Sequence, residues 1–148
     1  MSETEMISFR LSRMHVPQCY VQAPNDEVSE LDIRFPIKMQ LAVLEEREEI
    51  EIACTIKMEH SHTNQIYLAV DLVVGFHIRD FDDHRDETAF QMRPEFATTL
   101  ASICYSTMRG IIFERAAGTR LQSWLLPIVD PASLVRGIIP QSEEEEGD

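Results

Sequence analysis

The chain has 148 residues, 44% of them hydrophobic, which predicts one globular domain with a sizeable core. Its formal charge of −13 comes from 26 acidic and 13 basic residues, and the absence of a basic stripe argues against nucleic-acid binding. No apolar run approaches the ~20 residues that span a bilayer, and MSETEM does not resemble a secretory signal, so we expect a cytoplasmic protein without membrane insertion.

Four segments with a two-residue hydrophobic period predict β-strands. The first begins at Ile7 and changes parity between Arg13 and Pro17, which indicates a bulge or break in an edge strand, because proline donates no ladder hydrogen bond. The other three cover residues 33–43, 50–58 and 66–78, and the short polar links between them predict antiparallel hairpins. Because one face is apolar and the other polar, we expect a sheet that is covered on one side only.

The hydrophobic period then changes to that of helices. Pro94 suits the first turn of a helix over residues 94–117, with Gly110 as a weak point and Gly118 as the stop. Asp130 and Pro131 predict the cap and first residue of a second helix, which Pro140 ends. The predicted order is β-β-β-β-α-α, an α+β fold in which a four-stranded antiparallel sheet carries two C-terminal helices on one face. We expect one domain over residues 1–140 and a disordered acidic tail over residues 141–148.

The sequence contains no recognisable catalytic, metal or cofactor motif. It lacks a GxSxG nucleophile motif and a phosphate-binding glycine loop. His60 and His62 would point the same way on a strand, as two metal ligands would, but no third and fourth ligand follows at a typical spacing. The acidic segment 80–87 lacks the glycine and terminal glutamate of a calcium loop. The three cysteines lie far apart in apolar patterns, which favours reduced core thiols over disulfides. We therefore predict that the protein is not an enzyme and uses neither metal nor cofactor.

The segment between the two predicted helices is unusually apolar for a connection. It reads GTRLQSWLLPIVDPASLV, covers residues 118–135 and includes the only tryptophan of the chain, Trp124. Connecting segments generally run over the surface and are polar. Such a segment either fills the core or a subunit interface, or forms a binding surface.

Several stretches together resemble the SecB-like protein-export chaperones. ISFRLSRMHVPQCYVQAPN, residues 7–25, is similar to the first strand of that family and ends in the same APN turn. The connector resembles the helix-connecting segment of the family, with five residues at matching positions: Gly118, Thr119, Gln122, Leu125 and Pro127. The order of the elements agrees over residues 5–140.

This resemblance implies an ATP-independent holdase that binds unfolded or precursor polypeptides through an exposed hydrophobic groove and keeps them competent for translocation. It also implies a homotetramer, built as a dimer of dimers, whose groove lies between the sheet and the connector. The client-binding residues in this sequence would be Val74, Phe76, Leu121, Trp124, Leu125, Leu126 and Ile128.

Differences from the family pattern at two positions keep other functions open. SecA would be a partner, but Gln18 and Gln22 are uncharged where the family has acidic side chains that help to dock it. The alternative is a chaperone or adaptor of the same fold that is dedicated to one partner, for example in a toxin–antitoxin system. A hot-dog thioesterase also packs a long helix on an antiparallel sheet, but its helix comes early in the chain.

Overall fold

A computed structural model describes residues 7–124, 126 and 129–136 of the chain. Within these residues the elements, in chain order, are the strands β1 (Phe9–Val21), β2 (Ile33–Arg34), β3 (Ile37–Leu44), β4 (Glu49–His60) and β5 (Ile66–Ile78), and the helices α1 (Pro94–Arg115) and α2 (Pro131–Arg136). No helix in this part of the chain is long and apolar enough to cross a membrane. The α+β class and the two C-terminal helices agree with the sequence-based prediction.

The strands form one antiparallel sheet in the order β1-β5-β4, with β2 and β3 both paired to the far side of β4. Among the described strands, β1 pairs with β5 alone, and its register shifts between Leu11 and Arg13 and again between His15 and Gln18. The prediction of an irregular edge strand is therefore confirmed. The two tight hairpins, β3 to β4 and β4 to β5, are also confirmed.

The predicted strand over residues 33–43 is wrong in one respect, because the structure divides it into β2 and β3 and so has five strands instead of four. The break falls at Phe35 and Pro36, since proline has a fixed φ, lacks an N–H group and restricts the residue before it. The carbonyl oxygen of Pro36 still accepts a hydrogen bond from the Lys57 N–H at 3.1 Å. Both strands therefore remain on the same edge of β4.

Helix α1 covers the inner face of the sheet. The register of β4 and β5 places Ile52 opposite Val74 and Cys54 opposite Leu72, and all four side chains are buried. The buried face of α1 repeats every four residues: Phe96, Leu100, Cys104, Met108 and Ile112. This spacing is that of a helix with one apolar face, and the core lies between this face and the sheet.

The helix boundaries agree closely with the expected ones. Helix α1 passes through Gly110 without a break and ends at Arg115, and Gly118 follows it in the left-handed region at φ 82°. Helix α2 begins at Pro131, where Asp130 Oδ1 accepts a hydrogen bond from the Ala132 N–H at 3.1 Å. It packs against α1. Its predicted end at Pro140 and the acidic tail over 141–148 lie outside the described residues.

The charged segment after β5 is more ordered than a solvated linker. Phe81 and Phe90 are buried, and their rings stack at 4.8 Å. Asp86 Oδ1 accepts hydrogen bonds from the Thr88 and Ala89 N–H groups, at 2.7 and 2.9 Å, and these bonds lower the pKa of Asp86. The acidic side chains thus shape the turn while two aromatic residues anchor it to the core.

Candidate functional site

An open groove of about 290 Å³ lies between the C-terminal half of α1 and the segment that follows it. We call it the connector groove. It is lined by Ser106, Arg109, Gly110, Ile112, Phe113 and Ala116 of α1 and by Leu121, Gln122, Trp124 and Leu126 of the connector. Arg109 is the one charged side chain among these lining residues, so most of the recognition that the groove offers is apolar.

Local hydrogen bonds hold the connector in the shape that the groove requires. Thr119 Oγ1 donates to the Ala116 carbonyl oxygen at 2.7 Å and accepts from the Leu121 N–H at 3.1 Å. The Gly118 N–H donates to Gln122 Oε1 at 3.1 Å. These bonds satisfy backbone groups after the end of α1 and turn Leu121 into the core.

Trp124 forms a wall of the connector groove. Its ring is buried, with 7% of the residue exposed, and meets the Tyr67 ring edge to face at 5.7 Å. It also lines a second open groove, together with Val28 and Arg120. Because the indole is fixed by packing, it can offer an apolar surface to a bound chain at a small cost in side-chain entropy.

The structure places the seven candidate client-binding residues in three different ways. Leu121, Trp124 and Leu126 come together in the connector groove. Val74 and Phe76 lie on the inner face of β5, where each is 1% exposed, and they do not line the groove. Leu125 and Ile128 lie outside the described residues.

The sequence reasoning missed the contribution of α1 to the groove. Phe113 lines it and is 55% exposed, the largest exposed aromatic surface of the helix. The space beside it is left by Gly110, where an added Cβ atom would meet no atom within 4 Å. The sequence does indicate that Phe113 is exposed, because it follows Ile112 directly and so falls outside the four-residue repeat of buried positions on α1.

His60 and His62 serve the hairpin turn between β4 and β5. His60 Nδ1 accepts hydrogen bonds from the N–H groups of His62 and Thr63, at 3.1 and 3.2 Å. His62 Nε2 lies 3.5 Å from Asp32 Oδ1. In the described part of the chain, no three histidine, cysteine or acidic side chains come together in a way that could hold a metal ion.

Comparison with known proteins identifies the fold. No protein-family model matches the chain, and no curated protein matches it either. The Mycobacterium tuberculosis Rv1957 SecB-like chaperone, solved in complex with a ChAD peptide from the Rv1956 HigA1 antitoxin, matches with a TM-score of 0.52 and 12% identity over 82% of this chain and 90% of that chain. A protein of unknown function from Streptococcus agalactiae matches over 76% of this chain and 90% of that chain at 14% identity, with a TM-score of 0.39. The chain has a SecB-like fold.

Proposed function

We propose that this protein is a cytoplasmic, ATP-independent holdase that binds apolar segments of non-native polypeptides in the connector groove. The observation that carries the proposal is an open, mainly apolar groove, with Trp124 as its wall and Phe113 exposed at its side, on a SecB-like fold. A holdase requires apolar surface and no reacting groups, because it acts by lowering the concentration of free unfolded chains. Bound precursors would thereby stay unaggregated and competent for translocation.

The size of the groove bears on how clients are held. Burying one large aliphatic or aromatic side chain contributes about 1.5–3 kcal/mol, so a single groove of this size binds a client weakly. Several grooves on one assembly raise the overall affinity, because each further contact becomes intramolecular. We propose that a homotetramer, as a dimer of dimers, provides this multivalency, with Leu125 and Ile128 as further client contacts. Val74 and Phe76 would contact a client only where α1 no longer covers them.

A second candidate is a chaperone or adaptor of the same fold that serves one dedicated partner. Two observations favour it over SecA-dependent export. The Rv1957 structure contains an antitoxin peptide. On β1 and just after it, Gln18 and Gln22 are exposed and uncharged, and Gln22 Oε1 accepts a hydrogen bond from the Tyr20 hydroxyl at 2.6 Å. SecA docking through carboxylates at these two positions is therefore not available.

The direct test compares two exposed apolar residues in an aggregation assay that contains no nucleotide. Wild-type protein should suppress light scattering by a slowly refolding client. Phe113→Ser should lose most of this suppression, whereas Leu31→Ser should retain it, because Leu31 is 93% exposed and does not line the connector groove. Absence of suppression by the wild type would refute the holdase proposal.

One further measurement tests the proposed tetramer, and another separates the two candidates. Native mass spectrometry should give a tetramer, and a monomer that suppresses aggregation would refute the multivalent arrangement. A pull-down from the native host should return many unrelated polypeptides for a general holdase. Recovery of one stoichiometric protein would instead support the dedicated chaperone or adaptor.

A further inference from the structure

Another groove lies at one corner of the sheet, where β1 begins and β5 ends. It has a volume of about 330 Å³ and is lined by Ser8, Phe9, Arg10, His77 and Arg79. We call it the arginine groove. Arg10 pairs with His77 across β1 and β5, so both side chains point to the outer face. The Arg79 N–H donates to the Ser8 carbonyl oxygen at 2.9 Å, which fixes Arg79 beside the end of the same strand pair.

The two guanidinium groups of this groove have no acidic partner among the described residues. The ion pairs of the neighbourhood belong to other side chains, since Arg13 bonds Glu49 and Glu51, and His77 Nε2 lies 3.7 Å from Glu48 Oε1. In a protein with 26 acidic and 13 basic residues, two unpaired arginines side by side are a local exception to the charge of the surface. Such a site attracts anions that the remainder of the protein repels.

Phe9 borders the groove, but its ring lies on the α1 side of the sheet. Phe9 is half-buried, and its ring packs edge to face against Phe76 at 5.8 Å and against Phe96 at 5.4 Å. These contacts hold the ring among core residues, so the side chains that the groove offers on the outer face are Arg10, His77 and Arg79. The groove is open instead of enclosing, which suits a segment of polypeptide better than a small molecule.

We propose that the arginine groove binds an acidic segment of a partner polypeptide. Its carboxylates would accept hydrogen bonds from Arg10 and Arg79. Guanidinium suits this role because its planar set of donors matches a carboxylate in two parallel bonds. The site is on the opposite face of the sheet from the α1 side, so it goes beyond the proposed holdase function and does not depend on it.

The test uses full-length protein and a fluorescein-labelled hexapeptide of sequence Glu-Glu-Leu-Glu-Glu-Leu, with binding followed by fluorescence anisotropy. The double variant Arg10→Gln/Arg79→Gln should raise the Kd by about tenfold or more, equivalent to about 1.4 kcal/mol. Lys38→Gln/Arg120→Gln is the matched control, because it removes the same charge from two exposed side chains that do not line the arginine groove. We expect this control to change the Kd by less than about twofold, as exposed charges distant from the ligand contribute little.

Three results would overturn the proposal. They are absence of peptide binding by the wild type, equal weakening in the two double variants, and equally tight binding of a peptide in which lysine replaces every glutamate. The first would show that the groove does not take acidic peptides, the second that net charge alone governs binding, and the third that binding does not depend on the carboxylates of the peptide. Phe113→Ser should bind the acidic peptide as the wild type does, so this site and the connector groove are tested separately.

Discussion

The side chain of Arg13 lies directly over Gly75, so that a Cβ atom at position 75 would come within 2.9 Å of Arg13 Cγ and Nε. From β1, Arg13 crosses β5 at this glycine and reaches β4, where it bonds Glu49 Oε1 at 3.2 Å and Glu51 Oε2 at 2.7 Å. Glycine in a strand interior is otherwise unfavourable. Here it provides the space through which one side chain ties three strands together.

Gly75→Ala should therefore destabilise the protein, because Arg13 must move and lose its bonds to β4. Forced overpacking of this kind costs about 1–3 kcal/mol. Urea unfolding measures the loss, and Gly110→Ala is the control, since an added Cβ atom there meets open space and should stabilise α1 by about 0.5–1 kcal/mol. In an Arg13→Ala background most of the cost of Gly75→Ala should vanish. A cost that persists there would mean that Arg13 is not its cause.

The same cluster gives the stability a defined pH dependence. Burial acts to raise the pKa of Glu49, but the nearby Ser12 hydroxyl together with the hydrogen bond and charge of Arg13 outweighs it and holds the pKa below the ordinary value of 4.5. A carboxyl group with a lowered pKa in the folded state contributes stability that is fully present above its unfolded-state pKa. That contribution is lost as the pH falls through the folded-state value.

Glu49→Gln should thus reduce the free energy of unfolding at pH 7 and flatten its dependence on pH in the acid range below 4.5. Chemical unfolding of both proteins at a series of pH values measures the difference. The two curves should converge at the acid end, where Glu49 is protonated in both states of the wild type. Parallel curves throughout this range would contradict the assignment.

Most of the fold follows from local patterns in the sequence. The alternation of apolar and polar residues predicts which side chains of β4 and β5 face the core, and the change of parity near Arg13 predicts the irregular edge strand. Both features depend only on residues that are neighbours along the chain. The pairing of β1 with β5 depends on contacts between distant segments, and no local pattern specifies it. Pro36 can be read from the sequence. Whether the chain pairs with β4 again after this proline depends on contacts with distant residues, and no local pattern specifies it.

The candidate site was predictable only in part, for a related reason. The apolar connector indicated that Leu121, Trp124 and Leu126 belong together, and the structure groups them. The sequence could not show that α1 would cover Val74 and Phe76, since burial of an inner-face residue depends on where the helix lies. The contribution of Phe113 depends on the same geometry.

The three thiols should differ sharply in reactivity. Cys54 and Cys104 are buried between the sheet and α1, and a hydrogen bond to Cys54 together with burial raises the pKa of Cys104. Cys19 is only partly buried. Because the thiolate is the reactive species, we expect one fast-reacting thiol in the native protein and two that react only on unfolding.

Titration with a chromogenic disulfide reagent, first in buffer and then in denaturant, measures this partition. Cys19→Ser should abolish the fast phase, whereas Cys104→Ser should leave it unchanged. Fast reaction of two thiols in the native protein would show that α1 opens readily from the sheet. Such opening would expose the inner face of β5.

Trp124 provides an internal probe because it is the only tryptophan of the chain. Its burial against Tyr67 predicts a blue-shifted emission in the native protein, and binding of an apolar, unlabelled client peptide in the connector groove should change that emission.

Trp124→Ala should cost about 3–5 kcal/mol of stability, since it removes a large buried side chain. Trp124→Phe keeps much of the packing and should lose less stability while still suppressing client aggregation. If Trp124→Ala unfolds in urea like the wild type, then the indole is not packed against the core and the groove has no such wall.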